Sequence, residues 1–148
     1  MELFKIEHFR RQYPGKEFPS VRSLGTEEAE KIATAIRLKS GIHGEDSLSL
    51  MRQMHSRSSA LEGFNAESEG FDLRSILGAA GITPGAQVYI NWYRFDTIDC
   101  IFLKDLATYF DDIWYPGSDD IDLFDDTLSW IISVEHAGGI RVLMLNGS

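Results

Sequence analysis

The amino-acid sequence predicts a single α+β domain over residues 1–148, with an antiparallel sheet of about five strands and helices packed on one face. Three observations lead to this prediction. Residues 1–83 combine helical periodicity with irregular stretches, residues 84–148 mainly alternate as strands do, and turn sequences separate those strands. A chain of 148 residues, 43% of them apolar, suits one domain with a substantial core.

The first half contains two predicted helices. In "GTEEAEKIATAIRLKSG", Thr26 can act as the N-cap, three glutamates favour the first turn, and Gly41 can end the helix. "FDLRSILGAAG" predicts a shorter helix that ends at Gly81. Between them, residues 41–70 are rich in Ser, Gly and Glu. They predict an irregular connection with a short helical turn around residues 50–54.

The second half supplies the predicted sheet. "AQVYINWYRF" alternates as a strand does, and "IDCIFL" is apolar on both faces, which favours a central strand. "LKDLATYFDDIW" changes to a helical period and predicts one helix at about residues 104–114. "DIDLF" and "LSWIISVEHA" predict two further strands. Gly138-Gly139 predicts a hairpin turn into a last strand, "IRVLML".

The charge is unevenly distributed and excludes several classes of partner. The net charge is −9, of which residues 1–74 contribute −1 and residues 75–148 contribute −8. Such an acidic surface repels nucleic acid and anionic membranes, and it attracts a basic protein or cations. The single cysteine, Cys100, excludes an intrachain disulfide. With no signal-peptide pattern and no apolar stretch of membrane length, we expect a cytoplasmic protein.

The segment "YFDDIWYPGSDDIDLFDDTLSW" contains seven aspartates beside aromatic side chains. In an interface, aromatic rings supply buried area and acidic groups steer the encounter with an Arg- or Lys-rich protein. The sequence therefore predicts a docking face for a basic protein partner. Its predicted residues are Asp111, Asp112, Trp114, Tyr115, Asp119, Asp120 and Asp122. The alternative is a solvated acidic rim around a buried Trp114.

A calcium or magnesium module, or a small enzyme, could use the same aspartates. Several carboxylates fall within seven residues, but the EF-hand pattern is absent. Strand alternation would also send Asp119 to one face and both Asp120 and Asp122 to the other. No Ser-His-Asp arrangement, phosphate loop or HExxH motif occurs, and no His and Cys have ligand spacing. The sequence therefore assigns no catalytic residue, no metal ligand and no cofactor.

Two further sites remain open from the residues alone. A small ligand could bind between the aromatic sheet face and residues 41–70. The strand "IRVLML" could pair with a second copy of the chain to form a homodimer.

The stretch "WYRFDTIDCIFLKDLATYFDDIWYPGSDDIDLFDDTLSWIISVEHAGGI" resembles the C-terminal part of small bacterial hypothetical proteins. In style it resembles the acidic, single-domain immunity proteins of bacterial toxin systems. The resemblance covers about the last 60 residues and depends on size, the aspartate-rich face and the aromatic strands. It implies an immunity-type role, in which an acidic face covers the cationic active site of a toxin. No family motif matches, so no functional residue is carried over.

Overall fold

A computed structural model describes residues 1–42, 46–93 and 95–145. These residues form six helices and seven strands, which confirms the α+β class. The helices are α1 (Leu3–Gln12), α2 (Thr26–Ser40), α3 (Ser47–Arg57), α4 (Leu73–Ala79), α5 (Leu103–Thr108) and α6 (Phe110–Ile113). The strands are β1 (Val21–Ser23), β2 (Ser59–Ala60), β3 (Gln87–Tyr93), β4 (Thr97–Phe102), β5 (Ile121–Phe124), β6 (Trp130–Val134) and β7 (Ile140–Met144). In the described ranges, no helix is long and apolar enough to span a membrane.

All seven strands form one antiparallel sheet in the order β1-β4-β3-β5-β6-β7-β2. Five of them, β3 to β7, come from the second half of the chain, as the alternating sequence predicts. The first half adds the two edge strands, β1 beside β4 and β2 beside β7. The sequence predicts neither, because two or three residues are too few to show an alternating pattern.

Helices cover both faces of the sheet, which corrects the prediction that they pack on one face. Neighbouring residues of β6 belong to different cores: Ile131 packs with α2 and α3, whereas Ile132 packs with α4, α5 and α6. The same alternation occurs between Ile98 and Ile101 of β4. Because the central strands are apolar on both sides, each side needs a covering layer.

The helix boundaries largely follow the local signals in the sequence. Helix α2 ends at Gly41, whose φ of 68° is left-handed, as predicted. Its N-cap is Gly25, however, and Thr26 is the first helical residue. Helix α3 is longer than the predicted turn because the Asp46 side chain caps it, accepting from the Ser49 backbone at 2.7 Å. Residues 43–45 of the predicted 41–70 connection lie outside the described residues.

The helix predicted at about residues 104–114 is divided into α5 and α6. Tyr109 lies between them with a non-helical φ of −112° and ψ of 30°. Its ring packs edge-on against Phe9 and Tyr13, at 5.1 and 5.7 Å between ring centres. The break therefore coincides with the place where α1 packs against this segment.

One end of the sheet brings distant parts of the chain together. Asn91 of β3 pairs with Asp122 of β5, and Ile121 pairs with Val134 of β6. The end of β3, the start of β5 and the end of β6 therefore lie side by side. Helix α3 reaches the same end, where its side chains line two depressions. Lys5 of α1 also reaches this end and donates to the Ile113 carbonyl oxygen of α6.

Candidate functional site

The aspartates of residues 109–130 point in different directions. Asp111, Asp120 and Asp126 are exposed, Asp112 and Asp122 are half-buried, and Asp119 and Asp125 are buried. Asp120 and Asp122 line one cleft, whereas Asp119 turns towards α1, in agreement with the predicted alternation. The seven predicted docking residues therefore do not form one continuous face.

Trp114 belongs to the core. It is 1% exposed, its ring stacks on Phe110 with 5.7 Å between centres, and its indole nitrogen donates to the Asp119 carbonyl oxygen at 2.8 Å. Tyr115, the next residue, is half-buried, and its hydroxyl lies 3.1 Å from Nδ1 of His8. Of the two predicted aromatic anchors, only Tyr115 reaches the surface in this conformation.

The carboxylate of Asp119 holds the buried ammonium group of Lys5. The Lys5 Nζ donates to this carboxylate and, at 2.8 Å, to the Ile113 carbonyl oxygen. It also lies 4.1 Å from the centre of the Trp92 ring and 4.8 Å from that of Tyr115. Removing both charges from water costs several kcal/mol per ion, which the pair, the carbonyl and the ring faces offset. Asp119 therefore holds α1 to the sheet end.

A second buried carboxylate, that of Asp99 in β4, supports the same junction. It accepts from Ser23 Oγ at 2.6 Å and from the Trp92 indole nitrogen at 2.8 Å, and it pairs with the Met1 ammonium group. Trp92 thus donates to Asp99 while its ring faces Lys5. The sequence signals neither role, because an isolated Lys or Asp carries no information about a partner about a hundred positions away.

An exposed aromatic and acidic surface lies where α1 meets the segment after α6. Leu3 is 66% exposed and Phe4 49% exposed, and the Phe4 ring packs edge-on against Tyr115 at 5.7 Å. Glu2 and Asp112 lie near Tyr115, and Asp111 is exposed next to Asp112 in α6. We call this patch the α1–Tyr115 surface and define it by Glu2, Leu3, Phe4, Asp111, Asp112 and Tyr115. The sequence-based prediction missed Leu3 and Phe4, although apolar residues next to a glutamate in an acidic chain were a usable signal.

The acidic character of this surface is visible at Tyr115. Burial is the main cause that raises the pKa of its hydroxyl, and the nearby charges of Asp112, Asp119 and Glu2 raise it further. Asp112 also accepts a hydrogen bond from the Tyr13 hydroxyl at 3.0 Å, which raises the pKa of Tyr13. Carboxylates therefore lie close to the hydroxyl groups of both Tyr13 and Tyr115.

A cleft of about 300 Å³ lies between α3 and the sheet end. Helix α3 contributes Met51, Met54 and His55, and the sheet contributes residues 120–122 and 133–135. Met51 and Asp120 also border a shallower depression of about 650 Å³ beside Trp92. This is the region between the sheet and residues 41–70 where the sequence left a small-ligand site open.

Asp122 lies in that cleft with a carboxylate held by two donors. Its Oδ2 accepts from Asn91 Nδ2 at 2.9 Å, and its Oδ1 accepts from Ser133 Oγ at 2.6 Å. Burial raises the pKa of Asp122, while the two hydrogen bonds and His55 oppose that shift. Among the described residues, no three His, Cys, Asp or Glu side chains converge in a way that could hold a metal ion.

No protein-family model, no curated protein and no solved structure matches the chain. The function is therefore argued from the geometry of two places, the α1–Tyr115 surface and the cleft beside α3. The first offers the exposed Phe4 ring beside half-buried Tyr115 with acids nearby, and the second offers the half-buried carboxylate of Asp122.

Proposed function

We propose that this chain is a non-catalytic binding domain that docks a basic protein through the α1–Tyr115 surface. The observation that carries the proposal is the exposure of Leu3 and Phe4 on α1, with the Phe4 ring against Tyr115 and the charges of Glu2 and Asp112 close to Tyr115. Scattered apolar side chains are normal on protein surfaces, but adjacent ones in contact with an aromatic ring are typical of interfaces.

The physical contributions to such docking differ between the rings and the acids. Covering apolar area contributes roughly 25 cal/mol per Å² before the costs of association are subtracted, so Phe4 and Tyr115 would supply most of the affinity. Exposed acids such as Asp111 mainly accelerate the encounter with a cationic partner and weaken as salt increases. Charge complementarity therefore selects a basic protein as the partner.

An immunity-type role follows as the finer part of the proposal. An enzyme that acts on an anionic substrate has a cationic active site. The acidic α1–Tyr115 surface is complementary in charge to such a site. A surface of this kind would occupy the place of the substrate, which is what the resemblance to immunity proteins implies. Trp114 and Asp119 would act from beneath by holding Tyr115 and α1 in place.

The proposal is tested by comparing two variants that lose the same number of acids. One carries Phe4→Ser, Asp111→Asn and Asp112→Asn, and the other carries Glu27→Gln and Glu30→Gln on α2, on the opposite face of the sheet. Proteins captured from bacterial lysate at low salt are identified, purified and titrated back against each form. We expect a basic protein whose affinity falls at least tenfold with the first variant and stays within about twofold with the second.

Two outcomes would contradict the proposal. Equal affinity of both variants for every purified partner would show that the α1–Tyr115 surface is not the interface. Binding that persists unchanged at high salt would show that charge complementarity does not select the partner.

A further inference from the structure

The cleft beside α3 differs from the surface proposed above because it is concave and partly enclosed. It holds about 300 Å³ and lies between α3 and the ends of β5 and β6. That volume is at the lower end of the range for ligand sites and suits a molecule of few heavy atoms. It is also separate from Phe4 and Tyr115, which do not line it.

The walls of the cleft are apolar and adaptable. Met51 and Met54 project from α3, and Ile121 and Val134 contribute from the sheet. Methionine thioethers are flexible and polarisable, so they fit ligands of irregular shape. A wall of this kind favours an aliphatic segment over a compact inorganic ion.

The cleft holds a fixed carboxylate. Asn91 and Ser133 each donate to one oxygen of Asp122, which orients the group and leaves each oxygen with a further acceptor site. Asn91 is itself held in place, because its Oδ1 accepts from the Phe95 backbone at 2.9 Å. The carboxylate is therefore positioned in advance for another donor.

Charge distinguishes Asp122 from the buried carboxylates at the junction with α1. Asp119 has the Lys5 ammonium group and Asp99 has that of Met1. No lysine or arginine of the described chain lines the cleft, and the basic group acting on Asp122 is the exposed imidazole of His55. A bound cation would therefore supply the charge that the cleft lacks.

Lys5 shows how this protein accommodates an alkylammonium group elsewhere. Its Nζ pairs with a carboxylate and lies over an aromatic ring, while its aliphatic stem is fully buried. The cleft offers two of these kinds of contact, a carboxylate and an apolar wall, while among the described residues no Phe, Tyr or Trp ring lines it. Glu135 and Asp120 add two further acids to its lining, and Oδ1 of Asp120 also accepts from the His136 backbone and lies 3.0 Å from its ring Nδ1.

We propose that the cleft binds a small aliphatic diamine, with one ammonium group on Asp122, its methylene chain against Met51 and Met54, and its second ammonium group near Asp120 or Glu135. Asp120 lies just before β5 and Glu135 just after β6, so both acids lie at the same end of the sheet as Asp122. A metal ion does not fit this arrangement, because the acids are spread along the cleft and do not converge.

The test is a titration of backbone amide NMR signals with diaminobutane, butanediol and sodium chloride at matched concentrations. Three forms of the full chain are compared: the native protein, Asp122→Asn, and the control Asp126→Asn at an exposed acid outside the cleft. We expect diaminobutane to shift signals of residues 51–55 and 133–135. The dissociation constant should rise at least tenfold in Asp122→Asn and stay within about twofold in Asp126→Asn.

A second variant, Glu135→Gln, keeps the proposal testable if Asp122→Asn does not fold. It should weaken diaminobutane binding about threefold to tenfold by removing one charge from the cleft. The proposal is overturned if butanediol shifts the same signals equally, or if Asp122→Asn and Glu135→Gln both bind as the native protein does. The proposal is also overturned if diaminobutane shifts the signals near every exposed acid alike, or if it shifts no signals at all.

Discussion

A buried aspartate lies at each end of β5, and the two carboxylates have different kinds of partner. Asp119, just before the strand, is paired with the ammonium group of Lys5 from a distant helix. Asp125, just after the strand, accepts from the Gly85 backbone at 3.0 Å and from both the backbone and the hydroxyl of Thr127, at 3.0 and 2.5 Å. Within the described part of the chain, the Asp119 carboxylate pairs with a cation, whereas the donors to the Asp125 carboxylate are neutral.

The difference follows from what surrounds each carboxylate. Asp125 lies in a turn where the backbone and hydroxyl of Thr127 donate to it, and the Gly85 backbone adds a third neutral donor from an earlier segment. Asp119 lies between a helix and aromatic rings, where few backbone donors are available besides Tyr115 N–H at 2.8 Å. A buried charge with few donors requires a counter-charge. We therefore expect a larger loss of stability when the Asp119 end is disrupted than when the Asp125 end is.

The largest effect is expected at the cationic end, from Lys5→Met. This change keeps the apolar stem but leaves Asp119 buried without its counter-charge. The free energy of unfolding should fall by about 3–5 kcal/mol, measured by urea denaturation at neutral pH.

A double variant separates charge from packing at this end. Lys5→Met with Asp119→Asn removes both charges and should recover most of the stability lost by the single change. If the double variant is less stable than Lys5→Met alone, the role of Asp119 in balancing the Lys5 charge is contradicted.

Disrupting the Asp125 end of β5 should lower the free energy of unfolding by a smaller amount. Asp125→Ala removes an acceptor from Gly85 and Thr127, and we expect a loss of about 1–3 kcal/mol in the free energy of unfolding. The adjacent exposed residue is the control: Asp126→Ala should change stability by less than about 0.5 kcal/mol. Equal losses from Asp125→Ala and Asp126→Ala would show that the hydrogen bonds at this turn do not stabilise the fold.

The smallest effect on the free energy of unfolding is expected from Asp122→Asn, in the middle of β5. This effect should depend on pH. Burial raises the pKa of Asp122, so the folded state holds the proton more tightly than the unfolded chain does. The stability from this group is present below the unfolded pKa of about 3.9 and is lost as the pH rises through the folded value.

Asparagine does not ionise, so the Asp122→Asn variant should gain stability relative to the native protein as the pH rises from about 4 to about 8. Thermal unfolding of both proteins across this range measures the difference. Asn91 and Ser133 donate to the carboxylate and oppose the shift, which is why we place this effect last. A difference that is constant with pH would contradict the expectation.

Local patterns in the sequence determined the five strands of the second half, the end of α2 at Gly41 and the hairpin at Gly138. Gly138 has a φ of 95°, and β6 and β7 pair across it as predicted. These features depend on residues close together in the chain, through side-chain alternation and the conformational freedom of glycine. The concentration of negative charge in the second half is likewise readable without a structure.

Only the tertiary structure decided what each aspartate of residues 109–130 does. Asp119 and Asp120 are neighbours in sequence, yet one pairs with buried Lys5 and the other with exposed His136. The contact between Asp119 and Lys5 spans 114 positions. Burial and charge pairing depend on which distant elements meet at the sheet end, and no local pattern encodes that meeting. For the same reason the inward turn of Trp114 and the exposed surface of α1 emerged only once the fold was assembled.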